Sequence, residues 1–284
     1  MLIYKAIAFA DALEIEGKTI CGNPAGIVIC RTELPDEQTM ARMAMEINQP
    51  IIAFIKQRKG NEFDIKFYFP DGRECFLCGH GTLVAAYIIN KLYHYEHIAL
   101  RIQANDFVIN CDIDGQKKVR AYLSSYPLSA MAADKAPLYL ELLGLSEEDV
   151  IDKLYCPMLN DCVVVLKDCA RLRFIEPDYT LLSAQIKRDN FRALMITAAS
   201  KNQEIDYEIR VFCPYVEHHE DISCGSANCY LLPYWKDSLH NDSSDDLVIL
   251  CPFKPTNNAF GGIENGNYYL SENAVSISGL IHEI

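Results

Sequence analysis

Two eight-residue stretches, FDIKFYFP at 63–70 and YEIRVFCP at 207–214, share one pattern: aromatic, acid, isoleucine, base, apolar, aromatic, variable, proline. Their offset is 144 residues, about half of a 284-residue chain, which restricts the fold to two copies of one supersecondary plan. After each proline comes a short polar loop and then Cys-Gly, as Cys78-Gly79-His80-Gly81 and as Cys224-Gly225-Ser226-Ala227, offset by 146 residues. The difference of two is one loop insertion. An apolar helical segment follows each Cys-Gly, TLVAAYIINKLY and NCYLLPYW, and Pro233 is predicted to end or kink the second.

Upstream the halves also correspond. NPAGIVI (23–29) and NDCVVVL (160–166) read as strands, followed by helices DEQTMARMAMEI and YTLLSAQIKR and then strands IIAFI and ALMIT. The connector YPLSAMAADKAPLYL puts the boundary near residue 130, giving an N-terminal lobe 1–130 and a C-terminal lobe 131–284. KDSLHNDSSDD at 236–246 reads as a solvated loop, and MLIYKAIAFADAL as a strand without a signal-peptide cleavage pattern.

A net charge of -13, a pI near 5.0 and the lack of a Lys/Arg cluster argue against a nucleic-acid groove, and no run reaches the ~18 apolar residues a membrane span needs. A small molecule is the expected partner, in the cytoplasm. Twelve cysteines diluted over this length, many inside apolar runs such as GIVIC and DCVVVL, fit reduced thiols used mainly as small buried hydrophobes. Any particular cysteine must therefore be argued against that background.

The repeated Cys-Gly supplies such an argument. A thiol at a strand-to-helix junction meets unpaired N–H groups and the positive end of a helix dipole, which bind an anion and favour the thiolate. Two such junctions related by a pseudo-twofold would face each other across the cleft between lobes. Inverting a stereocentre needs one group to remove a proton from one face and another to deliver it to the opposite face. Cys75-x-x-Cys78 alternatively suggests half a zinc site or a redox pair, but the second half offers only Cys224 and Cys229, five apart, and no thioredoxin-like pattern surrounds it. Cys75 is expected to be a strand residue pointing away from Cys78. His218 and His219 are expected in a solvated loop.

GNPAGIV (22–28), FYFP…LCGHGTL (67–83) and RVFCP…EDISCGSANCYLLPYW (210–235) resemble the PhzF-like, or phenazine-biosynthesis-like, proteins of the diaminopimelate epimerase and proline racemase superfamily. The resemblance implies an α+β, diaminopimelate epimerase-like fold: two similar lobes, each a mixed sheet rolled into a barrel around a central helix, with the active site between them. It also implies a homodimer. His80 and Asp221 match the family's active-site positions. The family's Asn-x-Ser-Glu-x-x-Phe, whose glutamate is the general acid/base, here reads NQPIIAF, with Pro50 and Ile51 in place of Ser and Glu. Glu46 matches a different glutamate and does not replace it. The usual EDPATGSA has become EDISCGSA, which puts Cys224 where the family carries threonine. Both Cys-Gly positions are those of the superfamily's two-base thiol pair. The segment CPFKPTNNAFGGIEN lacks the expected Gly and Arg pattern.

The leading expectation is thus a cofactor-independent amino-acid racemase or epimerase acting at the carbon alpha to the carboxylate. Cys78 and Cys224 are its acid/base thiols, and His80 and Asp221 tune them or hold the substrate ammonium. Asn23, Gly79, Gly81, Gly225 and Ser226 bind substrate, with neither pyridoxal phosphate nor a metal required. Two other readings remain: a PhzF-like isomerase working through Asp221 and His80, and an inactive protein that binds a small ligand.

Overall fold

The computed structural model describes residues 1–9, 14–15, 18–19, 22–102, 107–114, 118–216, 219–239, 247–253, 260–269 and 274–283. The first half runs β1 (Leu2–Ala8), β2 (Glu14–Ile15), β3 (Lys18–Thr19), β4 (Asn23–Cys30), α1 (Glu37–Ile47), β5 (Ile52–Lys59) and β6 (Glu62–Tyr68). It continues with β7 (Glu74–Cys75), α2 (Gly79–Tyr93), β8 (His97–Ile102), β9 (Phe107–Ile113) and β10 (Lys118–Ser124). The second half runs β11 (Ser129–Ala130), α3 (Ala136–Leu142), β12 (Val150–Cys156), β13 (Asp161–Leu166), α4 (Cys169–Phe174), α5 (Tyr179–Arg188), β14 (Ala193–Ala199) and β15 (Tyr207–Phe212). It ends with β16 (Glu220–Asp221), α6 (Asn228–Ser238), β17 (Leu247–Phe253), β18 (Phe260–Tyr269) and β19 (Ala274–Glu283).

The repeat seen in the sequence is a repeat of strand pairing. Parallel β4–β5, antiparallel β5–β6 and β6–β7, and parallel β6–β8 recur as β13–β14, β14–β15, β15–β16 and β15–β17 with the same senses. β8–β9–β10 recurs as β17–β18–β19. Strand β19 also pairs with β10 and with β1, so β1, β4, β5, β6, β8, β9, β10 and β19 close into a ring. The last strand of the second half thereby completes the barrel of the first.

The apolar runs are continuous because these strands are buried on both faces. In β4 and β5, Ile27, Ile29, Ala53 and Ile55 face the inner core, while Val28, Cys30, Ile52 and Phe54 face Met40 and Ala44 of α1. In β13 and β14, Val163, Val165, Ala193 and Met195 face inward, and Cys162, Val164, Leu194 and Ile196 pack beneath α3, α4 and α5. Inside the ring lies α2, buried on every side from Gly79 to Ile89, as a helix that is apolar all round must be.

Helix α6 takes the matching place in the second half. Its Asn228, Tyr230, Tyr234 and Trp235 hydrogen-bond to Tyr207, Asp161, Asp152 and Thr197 on four surrounding strands. Pro233 neither ends nor visibly interrupts this helix, which runs on to Ser238. The carbonyl that Pro233 leaves without its helical donor is that of Cys229, and it accepts the backbone N–H of Tyr126 at 2.9 Å. The helix therefore enters the segment expected to be loop; of the rest of that segment, 240–246 lie outside the described residues. His218 does too, while His219 is half-buried in a turn with φ 58°.

Candidate active site

The two helix starts meet back to back. A Cβ built on Gly79 would lie 2.7 Å from Gly225 backbone atoms, and one on Gly225 would lie 3.2 Å from the Gly79 Cα. Only glycine permits that approach. It brings Cys78 and Cys224 into the walls of one narrow cleft, whose lining also includes Gly79, His80, Asp221, Gly225 and Ser226. Both thiols are free and almost fully buried, 6 % and 4 % exposed.

The Cys78 sulfur is the N-cap of α2. It accepts the Gly81 N–H at 3.4 Å and lies 3.4 Å from His80 Nδ1. The carbonyl of Cys78 accepts the Thr82 backbone N–H and hydroxyl, which fixes the turn. Gly81 thus serves the sulfur, and neither it nor Asn23 forms part of the cleft wall. Asn23, wholly buried at the start of β4, stands behind it: its Nδ2 donates to Asp221 Oδ1 at 2.6 Å and to the Ser223 carbonyl at 2.8 Å, and lies 3.3 Å from His80 Nδ1. Both Nδ2 hydrogens are committed to Asp221 and Ser223, so Asn23 stands against the imidazole without fixing its tautomer, and the ring also hydrogen-bonds the Pro24 carbonyl. Burial holds His80 below its ordinary pKa of 6.5, with the nearby Asp221 carboxylate acting in the opposite sense. Burial thus favours the neutral ring beside the thiol.

Cys224 has different company. No backbone N–H caps through its sulfur, a short 3₁₀ turn (Gly225–Ala227) intervenes before α6, and the sulfur lies 3.5 Å from Ser226 Oγ. Arg192 Nη1 donates to that hydroxyl at 3.1 Å, while its Nε and Nη2 grip the buried Asp161 carboxylate, which also accepts the Tyr230 hydroxyl at 2.9 Å. Burial raises both thiols well above their ordinary value of 9.0. Around Cys78, Cys75 adds to the rise and the Gly81 N–H opposes it; around Cys224, Asp221 adds and Arg192 opposes.

Cys75 does not point away, as expected from sequence, but lines the cleft. Along β7 the side chains alternate, with Glu74 outward and Cys75 inward, and Cys75 sits opposite Phe67 as Asp221 sits opposite Val211. In the repeat, Phe67 corresponds to Val211, so Cys75 is the counterpart of Asp221. By the registers Ala53↔Phe67 and Met195↔Val211, Ile51 corresponds to Ala193 and Pro50 to Arg192. All four of these line the cleft. Arg192 was not singled out in the sequence, although alignment of the two halves sets this lone base before an apolar strand, opposite the position next to the family's missing glutamate. Glu46 is exposed on α1 and is no part of the site.

Comparison with known proteins identifies the family and the fold. The sequence profile of the phenazine biosynthesis-like protein family, PhzC-PhzF, matches residues 16–250. An uncharacterized isomerase of Vibrio cholerae is 31 % identical over 80 % of this chain and 74 % of its own length. The chain belongs to the phenazine biosynthesis-like (PhzC-PhzF) family. Among solved structures, a PhzF-family phenazine biosynthesis protein of Enterococcus faecalis matches with a TM-score of 0.73 and 24 % identity, over 99 % of this chain and 96 % of its own. A hydroxyproline epimerase of Agrobacterium vitis shares the fold at a TM-score of 0.54 and 11 % identity, over 99 % and 91 % of the two chains. The fold is that of the PhzF and proline racemase group, as the resemblance implied.

Proposed function

We propose that this chain is a cofactor-independent isomerase that inverts an amino acid, or a close analogue, at the carbon alpha to its carboxylate. One observation carries the reading: the two Cys-Gly helix starts abut at Gly79 and Gly225 and put both sulfurs in one cleft. One thiolate takes the alpha proton from one face, and the opposite thiol delivers its own proton to the other. The substrate ends inverted, with the two sulfurs exchanged in protonation. Backbone N–H groups of Gly79, His80, Gly225 and Ser226 meet the carboxylate and the enolate-like charge that builds on it. His80, whose Nδ1 lies 3.4 Å from the Cys78 sulfur, is placed to take up the Cys78 proton when that thiolate forms. Relatives in Vibrio cholerae and Pseudomonas aeruginosa are named isomerases, which supports the coarser part of this reading.

A second reading keeps the family's Asp and His as the working pair and makes Cys224 incidental. The hydrogen bonds that tie both groups to Asn23 favour it; the apolar Ile51 in the cleft, where the family has glutamate, weighs against it.

A screen of amino acids in deuterated water tests the proposal. One should gain deuterium at the alpha carbon as its opposite enantiomer appears, without added pyridoxal phosphate or metal. Turnover that persists when both cysteines are alanine supports the second reading. Ligand binding without exchange would mark an inactive binding protein.

A further inference from the structure

A second cavity lies beside the reaction cleft, and Phe69, Cys75 and Arg192 stand in the walls of both. A substrate whose reacting carbon lies between the sulfurs has its carboxylate at the helix starts. The space nearest its remaining substituent is this vestibule, across the wall that the two cavities share. Four aromatic rings line it: Phe69, Phe76, Phe191 and Tyr215. They are held firmly, since Phe69 and Tyr215 pack at 5.7 Å between centroids, Arg73 lies 3.6 Å over the Tyr215 ring, and the Tyr215 hydroxyl donates to the Phe191 carbonyl at 3.1 Å.

We propose that this vestibule is the side-chain subsite of the enzyme and that the side chain it selects is an aromatic ring. The choice of an aromatic over an acidic substituent follows from charge. Arg73 is bound through Nε and Nη2 to Asp71, and Arg192 holds Asp161 in the same way, so each guanidinium fork already carries a carboxylate. Glu74, which points outward and pairs with Lys66 at 3.6 Å, borders the same space. A second substrate carboxylate finds no uncommitted fork and one like charge. An aliphatic side chain would fill the space without using the rings, whereas an aromatic one gains edge-to-face or offset contacts with them and with the guanidinium planes.

The inference takes from the proposed function only the position of the reacting carbon. Calorimetric titration of the native chain with phenylalanine, alanine and glutamate, each as the racemate so that turnover cannot change the ligand, separates the two ideas. Phenylalanine should bind at least about tenfold more tightly than alanine, and Tyr215→Ala and Phe76→Ala should each reduce that preference by about two- to tenfold. Both variants are compared at a melting temperature near that of the native chain, and either suffices if the other does not fold. Equal binding of phenylalanine and alanine, tighter binding of glutamate, no binding of any of the three, or a preference that survives in the folded variants would overturn the subsite. Aromatic binding without alpha-hydrogen exchange upholds the subsite and removes the two-thiol reading. Inversion of alanine with no aromatic preference does the reverse.

Discussion

The two Cys-Gly junctions hold equivalent places in the repeat, but their surroundings have diverged. Cys78 caps a regular 15-residue helix and has a neutral imidazole at 3.4 Å; Cys224 precedes a 3₁₀ turn and a proline-containing helix, and its neighbours are Ser226, Arg192 and Asp221. The first half supplies a proton acceptor among apolar walls (Pro50, Ile51, Leu77), and the second supplies both charged groups of the cleft, Asp221 and Arg192. Duplication thus kept the backbone device and let the side chains specialise. Two sulfurs placed alike need not titrate alike, and a reaction that runs in both directions can use unlike partners on its two faces.

The largest expected effect breaks the comparison outright. Cys78→Ala and Cys224→Ala should each lower inversion by about a hundred- to ten-thousand-fold, the usual contribution of one acid/base group, as read by chiral chromatography. Comparable activity in either variant would show the halves to be unequal in a way that excludes the pair. Next comes the glycine contact. Gly79→Ala places a methyl 2.7 Å from the Gly225 backbone and should cost about 1–3 kcal/mol, seen as a lower melting temperature together with slower turnover.

Smaller effects sharpen the difference between the halves. Because burial raises both thiols, the basic form is scarce at neutral pH, and turnover should climb as pH rises from 7 towards 9. His80→Gln should change the pH dependence of Cys78 alkylation and leave that of Cys224 near native, as followed by peptide mass mapping. The smallest effect lies in stability. His80 has a folded pKa below 6.5, so the unfolded chain binds the proton first. Its stabilising contribution is present above 6.5 and lost as pH falls through the lowered folded value, which denaturant titrations at pH 7 and pH 5 would measure.

The repeat was legible because FDIKFYFP and YEIRVFCP, 144 residues apart, are both strands buried on two faces, where side-chain type is tightly constrained. The Cys-Gly junctions were legible because a strand-to-helix turn that must admit a second backbone accepts little but glycine. Arg192 and Cys75 were not, because their meaning depends on strand register: only pairing places Cys75 as the counterpart of Asp221. Asn23 and Gly81 were placed at the site, yet they act from behind it, one through Asp221 and His80 and the other through the Cys78 sulfur. Nothing in the sequence announced that β19 would leave its own half to close the first barrel, since its alternating apolar positions, Val275, Ile277 and Ile281, fit either sheet.

The central claim is that each sulfur serves one face of one carbon, and enantiomer-resolved exchange tests it most directly. Once a substrate is known, its two enantiomers are incubated separately in deuterated water with Cys78→Ala and with Cys224→Ala, and alpha-deuterium is followed by proton NMR. The account predicts that residual exchange in one variant favours one enantiomer, residual exchange in the other favours its mirror image, and neither variant produces inversion. Exchange of the same enantiomer in both variants, or inversion in either, would contradict it.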